Sequence, residues 1–314
     1  MRKILLISLL ILIISLAGCQ FKRDVSVESL GAYIGGSTGL KFSFLENAPP
    51  EAVYDENQDE FDIAIMLENE GEYDIPSNKI ISSLSGIRAE DFNVNNLNRV
   101  LSTSLDGKTI SGGVAVRGSQ DELIYEGAKY KHDLKADFSA KIIAHVCYEY
   151  KTDAITSLCL KRDVLRRGDA ADTCSLENDA LKLDVSSGPI QVSNTQQVPR
   201  SKNEIKLTFE VSNSGSGEVY DPSAFKNTCF GQEDQIDKVK VKVTSPADGL
   251  NIKCKTLGDS REGVVKLLDG KRSIDCSINT QSVQEITFET PVQIEVTYFY
   301  RNSISKDITV FAGE

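Results

Sequence analysis

Apolar and polar residues alternate with a period of two along much of the chain. Phe61, Ile63, Ile65 and Leu67 alternate with Asp62, Ala64, Met66 and Glu68. Ile205, Leu207, Phe209 and Val211 alternate in the same way with Lys206, Thr208, Glu210 and Ser212. Successive side chains of a strand point to opposite faces, so this pattern predicts strands with one buried and one wet face. Such strands belong to antiparallel sheets. Both segments run into the same punctuation: Asn69-Glu70-Gly71 leading to Tyr73-Asp74, and Asn213-Ser214-Gly215 leading to Tyr220-Asp221. Asn and Gly tolerate positive φ, which predicts a tight chain reversal at each site.

A second match lies further along. Tyr148-Glu149-Tyr150-Lys151 leads to Cys159-Leu160, and Tyr298-Phe299-Tyr300-Arg301 leads to Thr309-Val310. Each segment reads as strand, polar turn, strand. The two matches keep their order and recur at nearly one offset, which implies an internal duplication. The predicted fold class is all-β: two tandem immunoglobulin-like β-sandwiches after a lipoprotein signal peptide and a short tether. The sandwiches are placed at residues 41–165 and 178–314, with a connector at 166–177. Residues 85–104 are less strand-like and are expected to hold a helix of one or two turns. Between the copies, from Lys161 to Leu176, Arg162, Arg166 and Arg167 are spaced for one side of a short helix, but a solvated interdomain connector is the favoured reading.

The N-terminus carries a different signal. Met1-Arg2-Lys3 is basic, and Ile4 to Ala17 is uncharged and apolar but shorter than the ~20 residues of a spanning helix. Leu16-Ala17-Gly18-Cys19 fits a lipobox, which predicts removal of residues 1–18 and acylation of Cys19. An ordinary signal peptide with a chance cysteine, or an uncleaved anchor helix, would leave Cys19 unmodified. Residues 19–40, with Gly35-Gly36-Ser37-Thr38-Gly39, read as a tether. The localisation expected is the outer face of the cytoplasmic membrane or the cell surface.

Six further cysteines remain: Cys147, Cys159, Cys174, Cys229, Cys254 and Cys276. An even number in an exported chain favours disulfides. Cys147 and Cys159 flank the predicted hairpin and are expected to pair across it. Cys254 and Cys276 border strands of the second half, and Cys174 and Cys229 would then tie the connector to the second sandwich. No C-x₂-C pair suggests zinc.

Composition narrows the function. The 314 residues carry a net charge of −11, which argues against a nucleic-acid partner. Histidine occurs only at His132 and His145, and tryptophan is absent. Asp55, Glu56, Asp59, Glu60 and Asp62 form an acidic run, but the ordered calcium-loop pattern is missing, so a solvated loop is favoured. His145 and Cys147 share a strand face, yet a disulfide at Cys147 would remove the thiol from any dyad. No nucleophile-elbow, phosphate-loop, dinucleotide or zinc-protease motif occurs.

Phe42-Ser43-Phe44-Leu45-Glu46-Asn47-Ala48-Pro49-Pro50 and Cys147-Tyr148-Glu149-Tyr150-Lys151-Thr152 resemble uncharacterised archaeal surface lipoproteins. The strand closed by an Asn-x-Gly turn and the aromatic last hairpin resemble CARDB-type Ig-like modules. That resemblance spans residues 42 to about 312 and implies a fold more than an activity. The function expected is a non-catalytic binding, adhesion or assembly module, with no catalytic residue, metal or cofactor. Its partners would be membrane lipid through Cys19 and a protein or envelope polymer. The acidic balance favours a basic partner, met mainly by loops 55–62 and 85–110 of the first sandwich. A structural subunit of a secretion or surface-appendage complex, and more remotely an envelope-polymer hydrolase, are the competing readings.

Overall fold

The computed structural model describes residues 31–165, 173–176, 180–247, 250–283 and 287–313. Cys19, the signal segment, Arg166 and Arg167 lie outside them. The described chain is all-β. Its helical pieces are two single turns, Glu233–Gln235 and Lys255–Leu257.

The first half holds β1 (Leu40–Phe44), β2 (Ala52–Tyr54), β3 (Phe61–Asn69), β4 (Ile80–Ser85) and β5 (Asn98–Val100). It continues with β6 (Thr109–Ser111), β7 (Val114–Val116), β8 (Gln120–Ala128) and β9 (Phe138–Leu160). The second half holds β10 (Leu183–Val185), β11 (Ile190–Ser201), β12 (Glu204–Asn213), β13 (Glu218–Tyr220) and β14 (Lys238–Thr244). It ends with β15 (Asn251–Cys254), β16 (Glu262–Lys266), β17 (Lys271–Asn279) and β18 (Phe288–Phe311).

Each half contributes one small sheet: β1-β3-β8 in the first and β11-β12-β17-β15 in the second. Both pack against a single nine-stranded sheet, whose six-strand path β16-β14-β18-β9-β4-β5 is completed by β2, β10 and β13. The alternation read from the sequence faces inward as expected. Phe61, Ile63, Ile65 and Leu67 on β3, and Ile205, Leu207, Phe209 and Val211 on β12, are all buried. Within the first half, the Tyr125 hydroxyl on β8 donates across the core to Ser82 Oγ on β4 at 3.0 Å. Burial raises the Tyr125 pKa to about 12, against the lowering effect of that hydrogen bond.

The long strands overturn the expected hairpins. β9 and β18 are uninterrupted and pair antiparallel from Phe138↔Val310 to Leu160↔Phe288. The supposed turn residues Thr152 and Thr156 occupy inward positions of β9 and are buried. Their hydroxyls donate to the carbonyls of Ile190 and Lys182, at 2.7 and 2.8 Å. A buried threonine so bonded keeps the strand period that its polarity hides.

Each long strand serves both sandwiches. The first part of β9 pairs with β4, while its far end meets β11, where Cys159 N–H donates to Gln197 Oε1 at 3.0 Å. β18 pairs with β14 of the second half and ends beside β2 of the first. Residues 31–314 therefore group as one compact unit, and the 41–165 and 178–314 halves share a sheet.

The three disulfides are Cys147–Cys229, Cys159–Cys174 and Cys254–Cys276. The expected Cys147–Cys159 bridge fails for a geometric reason. The two residues lie on one continuous strand, twelve steps apart, or up to roughly 40 Å at ~3.3 Å per residue. Cys147 instead bonds Cys229, so the first half is stapled to a loop of the second. Residues 85–104 form turns and β5 rather than a helix, and they bury Phe92, Val94 and Leu101 in the core.

Residues 31–39, read as tether, are docked. Ser187 Oγ donates to Thr38 O at 2.6 Å, and Gln191 Nε2 donates to Gly36 O at 2.9 Å. The β6–β7 hairpin is the opposite case. It forms its own two-stranded sheet, turns at Gly112 (φ 58°) and Gly113 (φ 79°), and is exposed along its whole length.

Candidate binding clefts at the seam

The repeated Asn-x-Gly motifs build two equivalent latches. Asn69 Nδ2 donates to Tyr73 O at 2.8 Å and its Oδ1 accepts from Gly71 N at 3.2 Å. Asn213 Nδ2 donates to Gly217 O at 2.9 Å and its Oδ1 accepts from Gly215 N at 3.2 Å. A tyrosine from the long strand completes each. Tyr150 OH accepts from Tyr73 N at 3.4 Å, and Tyr300 OH accepts from Gly217 N at 2.7 Å.

Positive φ is not the reason for these glycines, since Asn69, Gly71, Asn213 and Gly215 all lie outside the left-handed region. Space is the reason: a Cβ at Gly71 would overlap the Tyr150 hydroxyl, and one at Gly215 the Tyr300 hydroxyl. The cross-strand pairs Tyr148↔Tyr300 and Tyr150↔Tyr298 join the latches, with ring centroids 5.9 and 6.1 Å apart. Burial raises the pKa of all four phenols, so they remain neutral donors and acceptors at any physiological pH.

A cleft opens beside each latch. The first, of about 320 Å³, is lined by Tyr33, Glu72, Tyr73, Asp74, Lys108, Lys151, Asp153 and Ser186. Glu72 organises it. Its carboxylate accepts from Ile34 N at 2.8 Å, Gly35 N at 2.9 Å and Ser187 N at 2.7 Å. One side chain thus joins the N-terminal arm, the first half and the second half. Asp74 Oδ1 accepts from Gly107 N at 2.7 Å.

Lys151 lies 3.0 Å from Asp153 and 3.5 Å from Glu295, with its ammonium 5.7 Å from the Tyr73 ring centroid. Burial lowers its pKa, but Asp153 and Glu295 outweigh that and leave it raised. Burial, with Asp153 and Glu72, raises the Tyr33 pKa against Lys151. Among the described residues, Lys108 makes no ion pair.

The second cleft, of about 310 Å³, is lined by His145, Ser216, Gly217, Glu218, Arg301, Asn302 and Ser303. Arg301 Nε donates to Glu218 Oε2 at 3.0 Å and its Nη1 to Cys229 O at 2.9 Å. His145 Nε2 is 2.8 Å from Ser85 Oγ. Burial lowers the His145 pKa, Arg301 lowers it further, and Glu218 opposes both.

The residues singled out in the sequence play other parts. Cys147, Cys159, Cys174, Cys229, Cys254 and Cys276 are all disulfide-bonded, so Cys147 offers no thiol to His145. His132 Nε2 lies 2.9 Å from an Asp91 oxygen. The acidic run ties loops together. Asp55, 1 % exposed, accepts from Leu134 N at 2.7 Å and Gly313 N at 2.9 Å. Asp59 accepts from Tyr54 N, Asp62 accepts from Gly127 N, and Glu60 pairs with Lys129. No group of three or more metal-ligating side chains occurs among the described residues.

Sequence reading missed the first cleft, although the paired Asn-x-Gly and Tyr-x-Tyr repeats mark its frame. Tyr33 and Lys108 carry no local signal of their own.

No family model matches the chain, and no curated protein matches it. Among solved structures, the CupB6 tip adhesin from Pseudomonas aeruginosa aligns with 8% identity over 89% of this chain and 100% of that chain, at a TM-score of 0.16. The CFA/I adhesin CfaE of enterotoxigenic E. coli aligns with 10% identity over 88% and 86%, at a TM-score of 0.10. At these scores neither likeness carries an argument about this chain.

Proposed function

We propose that this chain is an exported, lipid-anchored envelope or surface protein that binds a partner without catalysis, through the cleft of its first half. The asymmetry of the two clefts carries this reading. Both keep the latch, but only the first is furnished with two tyrosine rings, three carboxylates and an ammonium free of ion pairs among the described residues. Such mixed aromatic and hydrogen-bonding linings orient ligands, whereas stability alone requires only the latch.

Three disulfides support folding in an oxidising compartment. Leu16-Ala17-Gly18-Cys19 supports acylation of Cys19. Kinship with CARDB-type surface lipoproteins is part of the same proposal. The excess of carboxylates in the cleft suits a partner presenting a cationic or donor-rich group, with an affinity that falls as salt rises.

The test is a photo-crosslinking residue placed at Tyr73 or at Ser303, an exposed residue lining the second cleft, in the full chain in its native membranes. The reading expects one discrete adduct from position 73 and none from 303. Equal labelling from both positions, or none from 73, refutes it. Mass spectrometry of the mature N-terminus tests the anchor separately.

A further inference from the structure

The β6–β7 hairpin has no role in the core. Ile110, Val114 and Val116 are 36%, 67% and 47% exposed, and nothing lies within 4 Å of a Cβ placed at Gly112 or Gly113. A two-stranded hairpin alone gains little stability in water, and apolar side chains left exposed on both of its faces suit insertion into a contact surface. The register pairs Thr109 with Val116, Ile110 with Ala115 and Ser111 with Val114. One face therefore carries Val114 and Val116. The other carries Ile110, and alternation adds Lys108 and Arg117 at its foot.

The charge at that foot departs from the rest of the molecule. The chain carries −11 overall, yet Lys41, Lys108 and Arg117 converge on one depression with Glu68 and Glu70. Lys41 pairs with Glu70 at 3.2 Å. Lys108 and Arg117 have no ion pair among the described residues. An apolar hairpin above two cations that make no ion pair among the described residues matches a bilayer surface, with acyl chains below and anionic phosphates at the rim. A strand-adding protein partner fits less well, because three-residue strands offer it too few backbone groups.

Position agrees. Lys108 lines the same cleft as Tyr33, two residues after the first described residue, Gly31. The finger therefore rises on the side where the N-terminal arm joins. The twelve residues from Cys19 to Gly31 reach at most about 40 Å. The finger projects roughly 13 Å from Lys108 to its tip at ~3.3 Å per residue. An anchor at Cys19 and the finger can meet one leaflet.

We propose that the β6–β7 hairpin is a membrane-contact finger. Ile110, Val114 and Val116 enter the interface of an anionic bilayer, and Lys108 and Arg117 hold lipid phosphates. This contact shares Lys108 with the partner cleft, while Ile110, Val114 and Val116 lie outside that cleft's lining; its placement rests on the anchor proposed at Cys19.

The chain contains no tryptophan, so Val114→Trp supplies a single reporter at the most exposed apolar position of the hairpin. The full chain would be reconstituted into vesicles of phosphatidylcholine alone, or with about 30 % phosphatidylglycerol, each with acyl-brominated lipid as quencher. The finger predicts roughly threefold or more stronger quenching in the anionic vesicles, lost when Lys108→Glu and Arg117→Glu are added. Val264→Trp, on exposed β16 of the second half, controls for the affinity of tryptophan itself and should stay unquenched in both. Val114→Trp that remains water-exposed on anionic vesicles overturns the proposal. So does protection of that reporter in native membranes but not in protein-free vesicles, which would assign the finger to a protein. Neither outcome bears on crosslinking from position 73.

Discussion

The two seam clefts share a frame and differ in their walls. In the first, Lys151 is held between Asp153 and Glu295, under Tyr73. In the second, the matching positions are Arg301, Ser303 and His145, and Gly217 stands where Tyr73 does. The arm closes the first cleft through Glu72, whereas Ser216 occupies the matching position of the second. The second is instead braced by Cys147–Cys229 and by Arg301 on the Cys229 carbonyl. What the clefts have in common is therefore what the fold needs, namely asparagine, glycine and tyrosine in fixed contact. What differs braces the second cleft and, on the proposed reading, serves binding in the first.

The strongest way to break the comparison is to cut the molecule between the clefts. Residues 31–165 or 178–314 expressed alone would each lose the β9–β18 pairing and leave a long strand bare on one edge. Neither should melt cooperatively by calorimetry, and a sharp transition from either half would show that the sandwiches are independent.

Removing the brace should come next. Cys147→Ala with Cys229→Ala opens a loop of sequence separation 82, worth about 4.5 kcal/mol in the chain-entropy model. Denaturant unfolding should show a loss of that order, larger than for the Cys159–Cys174 pair, whose separation is 15. Equal losses would mean that the brace contributes nothing beyond its neighbours.

The latches themselves can be compared by Gly71→Ala and Gly215→Ala. Each new methyl drives into a tyrosine hydroxyl, at about 2–3 kcal/mol for overpacking. Matching shifts in the denaturation midpoint would confirm that the two frames are equivalent. A variant that melts like the wild type would show that its tyrosine can move aside.

The smallest effect separates the clefts by pH. The folded-state pKa of His145 lies below its ordinary 6.5, so below that value the unfolded chain binds the proton more readily. Its contribution is whole above about pH 6.5 and shrinks as pH falls toward the depressed folded value. His145→Asn should flatten this acid-side slope, measured as the melting temperature against pH. An unchanged slope would place the titration elsewhere.

Much of the frame was legible and little of the wall. Ile63, Ile65, Leu207 and Phe209 announce their strands, because alternation records which face is buried. The Asn-x-Gly and Tyr-x-Tyr repeats mark both latches. The reading failed at Thr152 and Thr156, whose polarity imitates a turn until their hydroxyls are seen bonded to carbonyls across the core. It failed again at residues 35–39, where a glycine-rich run resembles a linker but is gripped by Ser187 and Gln191.

The sequence alone determined an all-β chain, the burial phase of its regular strands, two copies of one Asn-x-Gly motif and six cysteines beyond Cys19. These are local properties, encoded in neighbours two to five residues apart. Only the tertiary structure decided that β9 pairs with β18, that Cys147 meets Cys229, and that Tyr33 and Lys108 line one cleft. Alternation says that a face is covered but not by what, because strand pairing joins residues whose separation along the chain leaves no trace in either one.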